Sequence, residues 1–143
     1  LLLGEPGAGK STLLLELALD LVTQAEHDHS LSLPVIVPLS SWANHRQPLE
    51  QWLAEQIAFL YDLPRRLVAR WMQEERLLPL LDRLDEMEEE ARTACITAIN
   101  AYHREHLHPL VVACRKAEYE AAASNECRLT NNLPLLTRKF SKV

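Results

Sequence analysis

The chain contains three glycines, and all of them fall within its first nine residues, at Gly4, Gly7 and Gly9 in LLLGEPGAGKST. No other feature constrains the fold as much. Glycine opens backbone conformations that other residues avoid, and here the cluster sits between an apolar run, Leu1–Leu3, and a segment with helical periodicity. Gly4, Gly9, Lys10 and Ser11 fill the spacing G-x-x-x-x-G-K-[ST]. In a strand–turn–helix setting this spacing turns backbone N–H groups inward around an anion. The helix N-terminus adds its partial positive charge. Lys10 is then placed to reach the β- and γ-phosphates of a nucleotide, and the Ser11 hydroxyl to bind Mg²⁺. Glu5, Pro6, Gly7, Ala8 and Thr12 complete the binding loop. The plainer alternative is a glycine turn capped by Ser11. Against it stand the rarity of four specified positions at ordinary glycine usage and the strand–helix context.

The rest of the chain alternates between helical and strand patterns. Residues 10 to about 26 read as an amphipathic helix. Leu13, Leu17 and Leu21 form one apolar row, Leu14, Ala18 and Val22 the next, and Glu16, Asp20 and Gln24 the wet stripe opposite. HDHS breaks that helix, and LPVIVPL (33–39) is a continuous apolar strand of the kind buried on both faces. Pro48 opens a helix with Leu49, Trp52, Leu53, Ile57 and Leu60 on one face. Pro64 opens another, carrying Leu67, Val68, Trp71 and Met72. LLPLL (77–81) reads as a strand ending in acids. Residues 88 to about 106 form a helix buried through Ala91, Cys95, Ile99 and Tyr102, and PLVVAC (109–114) is a last strand.

Strands separated by helices predict a parallel sheet with right-handed crossovers, an α/β fold of three layers. Residues 1–123 are expected to form this core, and 124–143 a tail without an assigned structure. The chain does not start with Met and opens on what reads as the end of a strand, so it reads as a fragment truncated at both ends.

Composition excludes several classes. Apolar residues make up 48% and charged residues 24%, ordinary globular usage. A net charge of −5 removes the general electrostatic case for nucleic acid. No apolar run approaches the ~18 residues that span a membrane, and LLL is too short and lacks the basic flank of a signal peptide. Cys95, Cys114 and Cys127 are odd in number and far apart, which fits reduced thiols in a cytoplasmic protein.

A second motif lies in LLPLLDRLDE. Four apolar positions lead into Asp82 at the C-terminal end of a strand, where open parallel sheets bind ligands. A carboxylate there can hold Mg²⁺, and Asp85 or Glu86, about one turn further on, can orient an attacking water. The helix dipole accounts for the acids Glu88 to Glu90 in a first turn but not for Asp82. Pro79 conflicts with a central strand, because proline lacks the N–H that a ladder needs.

Taken together these stretches resemble the NACHT NTPases, a branch of the STAND class of P-loop signalling ATPases, in a form common in bacteria. The resemblance covers roughly residues 1 to 120, the N-terminal part of the NTPase domain. It rests on LLLGEPGAGKSTLLLELA, LSSWANHRQPLEQWLAEQI, YDLPRRLVARWMQEERLLPLLDRLDEM, AINAYHREH and PLVVACRKAEYE. It implies a three-layer P-loop NTPase that binds ATP or ADP with Mg²⁺ and hydrolyses ATP slowly as a regulatory switch. It also implies an effector domain before the NTPase, sensor repeats after it, and self-association of the full-length parent in immune or antiphage defence. By position, Arg115 matches the family's sensor arginine, which contacts the γ-phosphate.

The sequence departs from that pattern in three places. Arg83 stands where a small residue, often glycine, follows the aspartate. Cys114 stands where Ser or Thr precedes the sensor arginine. The family's later strand, helical region and winged-helix region are absent. Arg83 poses a geometric choice. If the strand continues through it, its side chain points away from Asp82. If the chain has already turned, the guanidinium can pair with Asp82 or Asp85 and slow hydrolysis while binding is retained, which is the expectation favoured here.

Other residues have plainer readings. His103, His106 and His108 ring a polar helix end without partners spaced as metal ligands. Arg65, Arg66 and Arg70 form a solvated basic face rather than a nucleic-acid contact. Trp42 and Trp52 are packing anchors, and Cys114 is a core thiol. A small-molecule kinase and a non-catalytic nucleotide-binding fragment are the alternatives to a switch. A kinase needs a lid and acceptor-binding residues, whereas the DxxDE arrangement favours activated water. No N-K-x-D element is present, so ATP is preferred to GTP.

Overall fold

The computed structural model describes residues 2–4 and 9–115. Strand β1 (Leu2–Gly4) is followed by helix α1 (Lys10–His27) and strand β2 (Leu33–Pro38). A 3-10 turn (Leu39–Ser41) and the short helix α2 (Trp42–His45) lead to α3 (Leu49–Leu60) and α4 (Arg65–Gln73). Strand β3 (Leu77–Asp82), a 3-10 turn (Leu84–Glu86), α5 (Glu89–His106) and β4 (Val111–Arg115) complete the order. Among the described residues the sheet has four strands, all parallel, in the order β1-β4-β3-β2. Among the described residues no helix is long and apolar enough to cross a membrane.

Side-chain alternation sorts the strands between two apolar layers. Leu78 and Leu80 of β3, Val111 and Ala113 of β4 and Ile36 of β2 pack with Leu14, Leu17 and Ala18 of α1. Their neighbours Leu77, Leu81, Val112, Cys114, Val35 and Val37 face the larger core on the other side. That core is built on Trp52, Leu53 and Ile57 of α3, Val68 and Met72 of α4, and Ile96 and Ile99 of α5. The result is helix, sheet, helix, the expected three layers. Parity also decides where β3 ends: Asp82 shares the α1 face with Leu78 and Leu80.

Three prolines lie inside strands, and the hydrogen-bond phase explains each. The β2–β3 ladder starts with the Leu33 N–H donating to the Arg76 carbonyl at 2.8 Å. Alternate residues of a parallel strand bond to alternate neighbours, so Leu33, Val35 and Val37 face β3 while Pro34, Ile36 and Pro38 face the open edge. Two of those three edge positions therefore carry no donor. The third is covered, because the Tyr61 hydroxyl lies 3.0 Å from the Ile36 nitrogen and 3.5 Å from its carbonyl oxygen. An edge built this way resists pairing with another strand. The same phase aims Pro79 at β4. That strand begins only at Val111, opposite Leu80, so the missing N–H falls below the first rung. Pro79 thus fits a central strand.

The helices follow their apolar spacing with some departures. Leu49, Trp52, Leu53 and Ile57 are buried as expected, but Leu60 is 45% exposed, because α3 ends there and its face no longer meets the sheet. Leu15 and Leu19 of α1 are exposed. The 3-10 turn and α2 between residues 39 and 45 carry no helical periodicity, yet Leu39 and Trp42 are buried. Trp42 donates from Nε1 to the Gln47 carbonyl at 3.1 Å, and Trp52 is fully enclosed. Both tryptophans are packing anchors. Cys114 is buried, and burial pushes the Cys95 thiol up to about 12, so Cys95 is inert at neutral pH.

The histidines fasten the lower end of the molecule. His106 Nε2 lies 3.3 Å from a Glu50 carboxylate oxygen and His108 Nε2 lies 3.4 Å from one of Glu75. Both imidazoles contact the Tyr102 ring, at centroid distances of 4.9 and 6.4 Å. Burial, with the charges of Glu50 and Glu75, pushes the Tyr102 phenol up to about 12. This cluster precedes the start of β4, at the opposite end of the strands from Asp82. Arg65 and Arg70 lie on an exposed face and pair with Glu55 and Glu74 at 3.1 and 2.8 Å.

Candidate nucleotide-binding site

The C-terminal ends of all four strands point the same way. Gly4 stands beside Arg115 across β1 and β4, and Pro38 beside Asp82 across β2 and β3. The N-terminus of α1 opens above this edge, so residues far apart in sequence meet there.

Gly9 turns the chain into α1. It adopts φ 70° and ψ 39° and accepts the first helical hydrogen bond from the Leu13 N–H at 2.9 Å. Among the described residues, a Cβ at this position meets Thr12 Cβ and Oγ1, at 3.8 and 3.9 Å. No described residue demands glycine here by crowding; the left-handed φ favours it.

Two residues later, the Ser11 hydroxyl donates to Asp82 Oδ2 at 3.0 Å, across 71 positions of sequence. The other carboxylate oxygen, Oδ1, accepts the Arg83 N–H at 2.8 Å. Asp82 is only 8% exposed. Thus one carboxylate is held from two sides, by the start of α1 and by the turn that leaves β3.

That turn settles the choice posed by Arg83. The strand ends at Asp82, and Arg83 takes φ 64° and ψ 28°, so the chain has already turned. The Glu86 N–H donates to the Arg83 carbonyl at 3.2 Å, and Leu84 and Met87 are buried beneath the turn. The expected pairing of the guanidinium with Asp82 or Asp85 is not formed. Arg83 is exposed, with no ion pair to a described residue. Asp85 is half-buried and Glu86 exposed in the 3-10 turn beside Asp82.

Of the other expected site residues, Gly4 ends β1, Thr12 is exposed in the first turn of α1, and Lys10 and Arg115 occupy the first position of α1 and the last of β4. The side chains of Lys10 and Arg115, and all of Glu5, Pro6, Gly7 and Ala8, lie outside the described residues. Sequence reasoning missed the Arg83 amide as a partner of Asp82, because a main-chain donor leaves no mark on residue type.

A parallel sheet flanked by helices, with the G-x-x-x-x-G-K-S sequence between β1 and α1 and a strand-end carboxylate bonded to the hydroxyl after Lys10, defines the class: an α/β nucleotide-binding domain of the P-loop NTPase kind. Within that class, the family model of the NACHT domain matches residues 1–137, and the chain belongs to the NACHT family. No curated protein and no solved structure matches it.

Proposed function

We propose that this chain binds ATP and ADP with Mg²⁺ at the edge formed by Gly9–Thr12, Asp82 and the turn after it. In the full-length parent, slow ATP hydrolysis there serves as the switch of a signalling protein. The observation that carries the reading is the 3.0 Å hydrogen bond between Ser11 and Asp82. It brings a hydroxyl and a carboxylate together with oxygen atoms only, the donor chemistry that a hard cation such as Mg²⁺ prefers. Neither softer metals nor thiol chemistry is served by this set.

Ser11 and Asp82 would hold the cation, Asp82 through water, and Lys10 would neutralise the β- and γ-phosphates. Bound there, the cation would offset charge on the phosphate oxygens. Asp85 and Glu86, in the turn beside Asp82, would orient a water for in-line attack, and Arg115, by its match to the family's sensor arginine, would contact the γ-phosphate. Self-association of the parent, a cytoplasmic location and a defence role of the bacterial STAND type are proposed from the sequence resemblance.

Titration calorimetry tests the binding step. Lys10→Ala is expected to weaken Mg·ATP binding at least tenfold, about 1.4 kcal/mol. Equal affinity in the two proteins overturns the reading.

A further inference from the structure

We propose that Ser40 and Ser41 are positioning residues of the nucleotide site. Their hydroxyls form its wall on the β2 side and hold the acid pair Asp85–Glu86 when a γ-phosphate is present. The proposal rests on the water-orienting role proposed for those acids.

Two turns stand side by side at the C-terminal edge of the sheet. Strands β2 and β3 end on the same rung, with Pro38 beside Asp82. A 3-10 turn follows each, Leu39–Ser41 directly after β2 and Leu84–Glu86 one residue after β3. The two are built alike. In one the Trp42 N–H donates to the Leu39 carbonyl, and in the other the Met87 N–H donates to that of Leu84. A 3-10 turn repeats every three residues, so its first residue and the one after its last share a face. Leu39 with Trp42, and Leu84 with Met87, are accordingly buried in one core. Leu-Ser-Ser-Trp and Leu-Asp-Glu-Met thus carry the same pattern, with a polar pair left outside each turn. Ser40 and Glu86 are exposed, and Ser41 and Asp85 half-buried. The two turns approach within 8 Å at Cα, a gap that a serine and an acidic side chain can close between them.

Local structure does not employ these hydroxyls. Ser41 stands at the N-cap of α2, where a serine oxygen ordinarily accepts a helical N–H. It makes no such bond, and its φ of −77° and ψ of −19° are already helical. Neither serine hydroxyl has a hydrogen-bond partner among the described residues. The turn that carries them is nevertheless firmly seated, because Leu39 is fully buried and Trp42 nearly so. An acid that orients a water must itself be held in the reactive geometry. A hydroxyl can donate to a carboxylate, and such a bond is charge-assisted. It also meets an electrostatic need. A terminal phosphate brought to this edge faces the carboxylates of Asp85 and Glu86, and neutral donors beside them offset that like-charge approach.

The first test needs no variant. Amide hydrogen exchange is compared in the 143-residue chain with Mg²⁺ and either ADP or a non-hydrolysable ATP analogue. The Ser40 and Ser41 amides are expected to exchange at least threefold more slowly in the ATP-analogue complex, while those of α3 exchange alike. Equal exchange at Ser40 and Ser41 with both nucleotides bound overturns this proposal alone. A chain that binds neither nucleotide overturns the nucleotide reading of the site and this proposal with it. The second test uses the full-length parent. Ser40→Ala with Ser41→Ala is expected to slow single-turnover phosphate release at least tenfold while Mg·ADP affinity stays within twofold. Ser40→Thr with Ser41→Thr keeps both hydroxyls and is expected to stay within threefold of the starting rate. An unchanged rate in the alanine variant overturns the proposal. So does an equal loss in the threonine variant, or a fall in ADP affinity as large as the fall in rate, either of which would make the serines mere supports of the edge.

Discussion

Gly9 and Arg83 perform the same turn on two sides of one site. Gly9 enters α1 at φ 70° and ψ 39°, and Arg83 enters the 3-10 turn at φ 64° and ψ 28°. Each lies next to one partner of the Ser11–Asp82 hydrogen bond, Gly9 two residues before Ser11 and Arg83 one after Asp82. One position uses the residue for which a positive φ is free. The other uses one for which it costs roughly 1–2 kcal/mol. The difference teaches where glycine is indispensable in this chain. Arg46, Asp62, Glu75, Arg83 and Leu107 all adopt positive φ without being glycine. Arg46 and Leu107 cap α2 and α5. Asp62 and Glu75 sit just past α3 and α4, where the Leu63 N–H reaches the Ala58 carbonyl and the Arg76 N–H reaches that of Trp71. Those are helix ends at which glycine is the usual choice. The chain accepts strain at these helix ends, while all three of its glycines precede α1 in sequence.

The strongest way to break the comparison is Gly9→Ala. Among the described residues the added Cβ has room, since its nearest neighbours are Thr12 atoms at 3.8 and 3.9 Å. The expected loss is therefore conformational alone, about 1–2 kcal/mol in urea unfolding. A loss near zero would mean that α1 starts equally well without a left-handed residue, and that Gly9 is kept only for close approach of a ligand.

A smaller effect, of opposite sign, is expected at a helix end. Leu107 caps α5 at φ 54° and is 76% exposed, so replacing it loses little packing. Leu107→Gly relieves the left-handed strain but adds backbone freedom to the unfolded chain. The net expectation is a gain of about 0.5–1 kcal/mol, read as a higher urea midpoint with an unchanged slope. A destabilised Leu107→Gly would show that the exposed leucine makes contacts that offset its strain.

Much of this was legible in residue types, and the physical reason is the same wherever it was. LLPLL and PLVVAC announce strands because a strand buried on both faces must be apolar at every position. Ser11 and Asp82 were legible as a pair because a hydroxyl after GK and an acid ending an apolar strand are individually conspicuous. What was not legible depends on phase or main chain. Pro79 looks wrong for a central strand until the ladder phase shows that its missing N–H faces a neighbour that has not yet begun. Pro34 and Pro38 gave no hint that they blunt an edge, since that needs the order β1-β4-β3-β2. The turn at residues 39–45 has no periodicity to read. Nothing in an arginine signals a positive φ, so the guanidinium drew attention when the amide is the group that meets Asp82.

The finest probe of the comparison is Arg83→Gly, which makes the two turns chemically alike. Glycine relieves the same strain as at Leu107, but it also loosens a turn whose amide is held by Asp82 Oδ1 at 2.8 Å. The two effects oppose each other, and the net change in stability is expected to stay within about 0.5 kcal/mol. Chemistry is expected to change as little. The guanidinium is exposed and makes no ion pair with a described residue, so its removal frees neither Asp82 nor Asp85. Single-turnover phosphate release in the full-length parent should stay within twofold. A tenfold rise, equal to about 1.4 kcal/mol of barrier, would show that the arginine side chain swings onto the site once nucleotide is bound. In that case the turn at Arg83, unlike the turn at Gly9, would be a brake on hydrolysis as well as a support for the carboxylate.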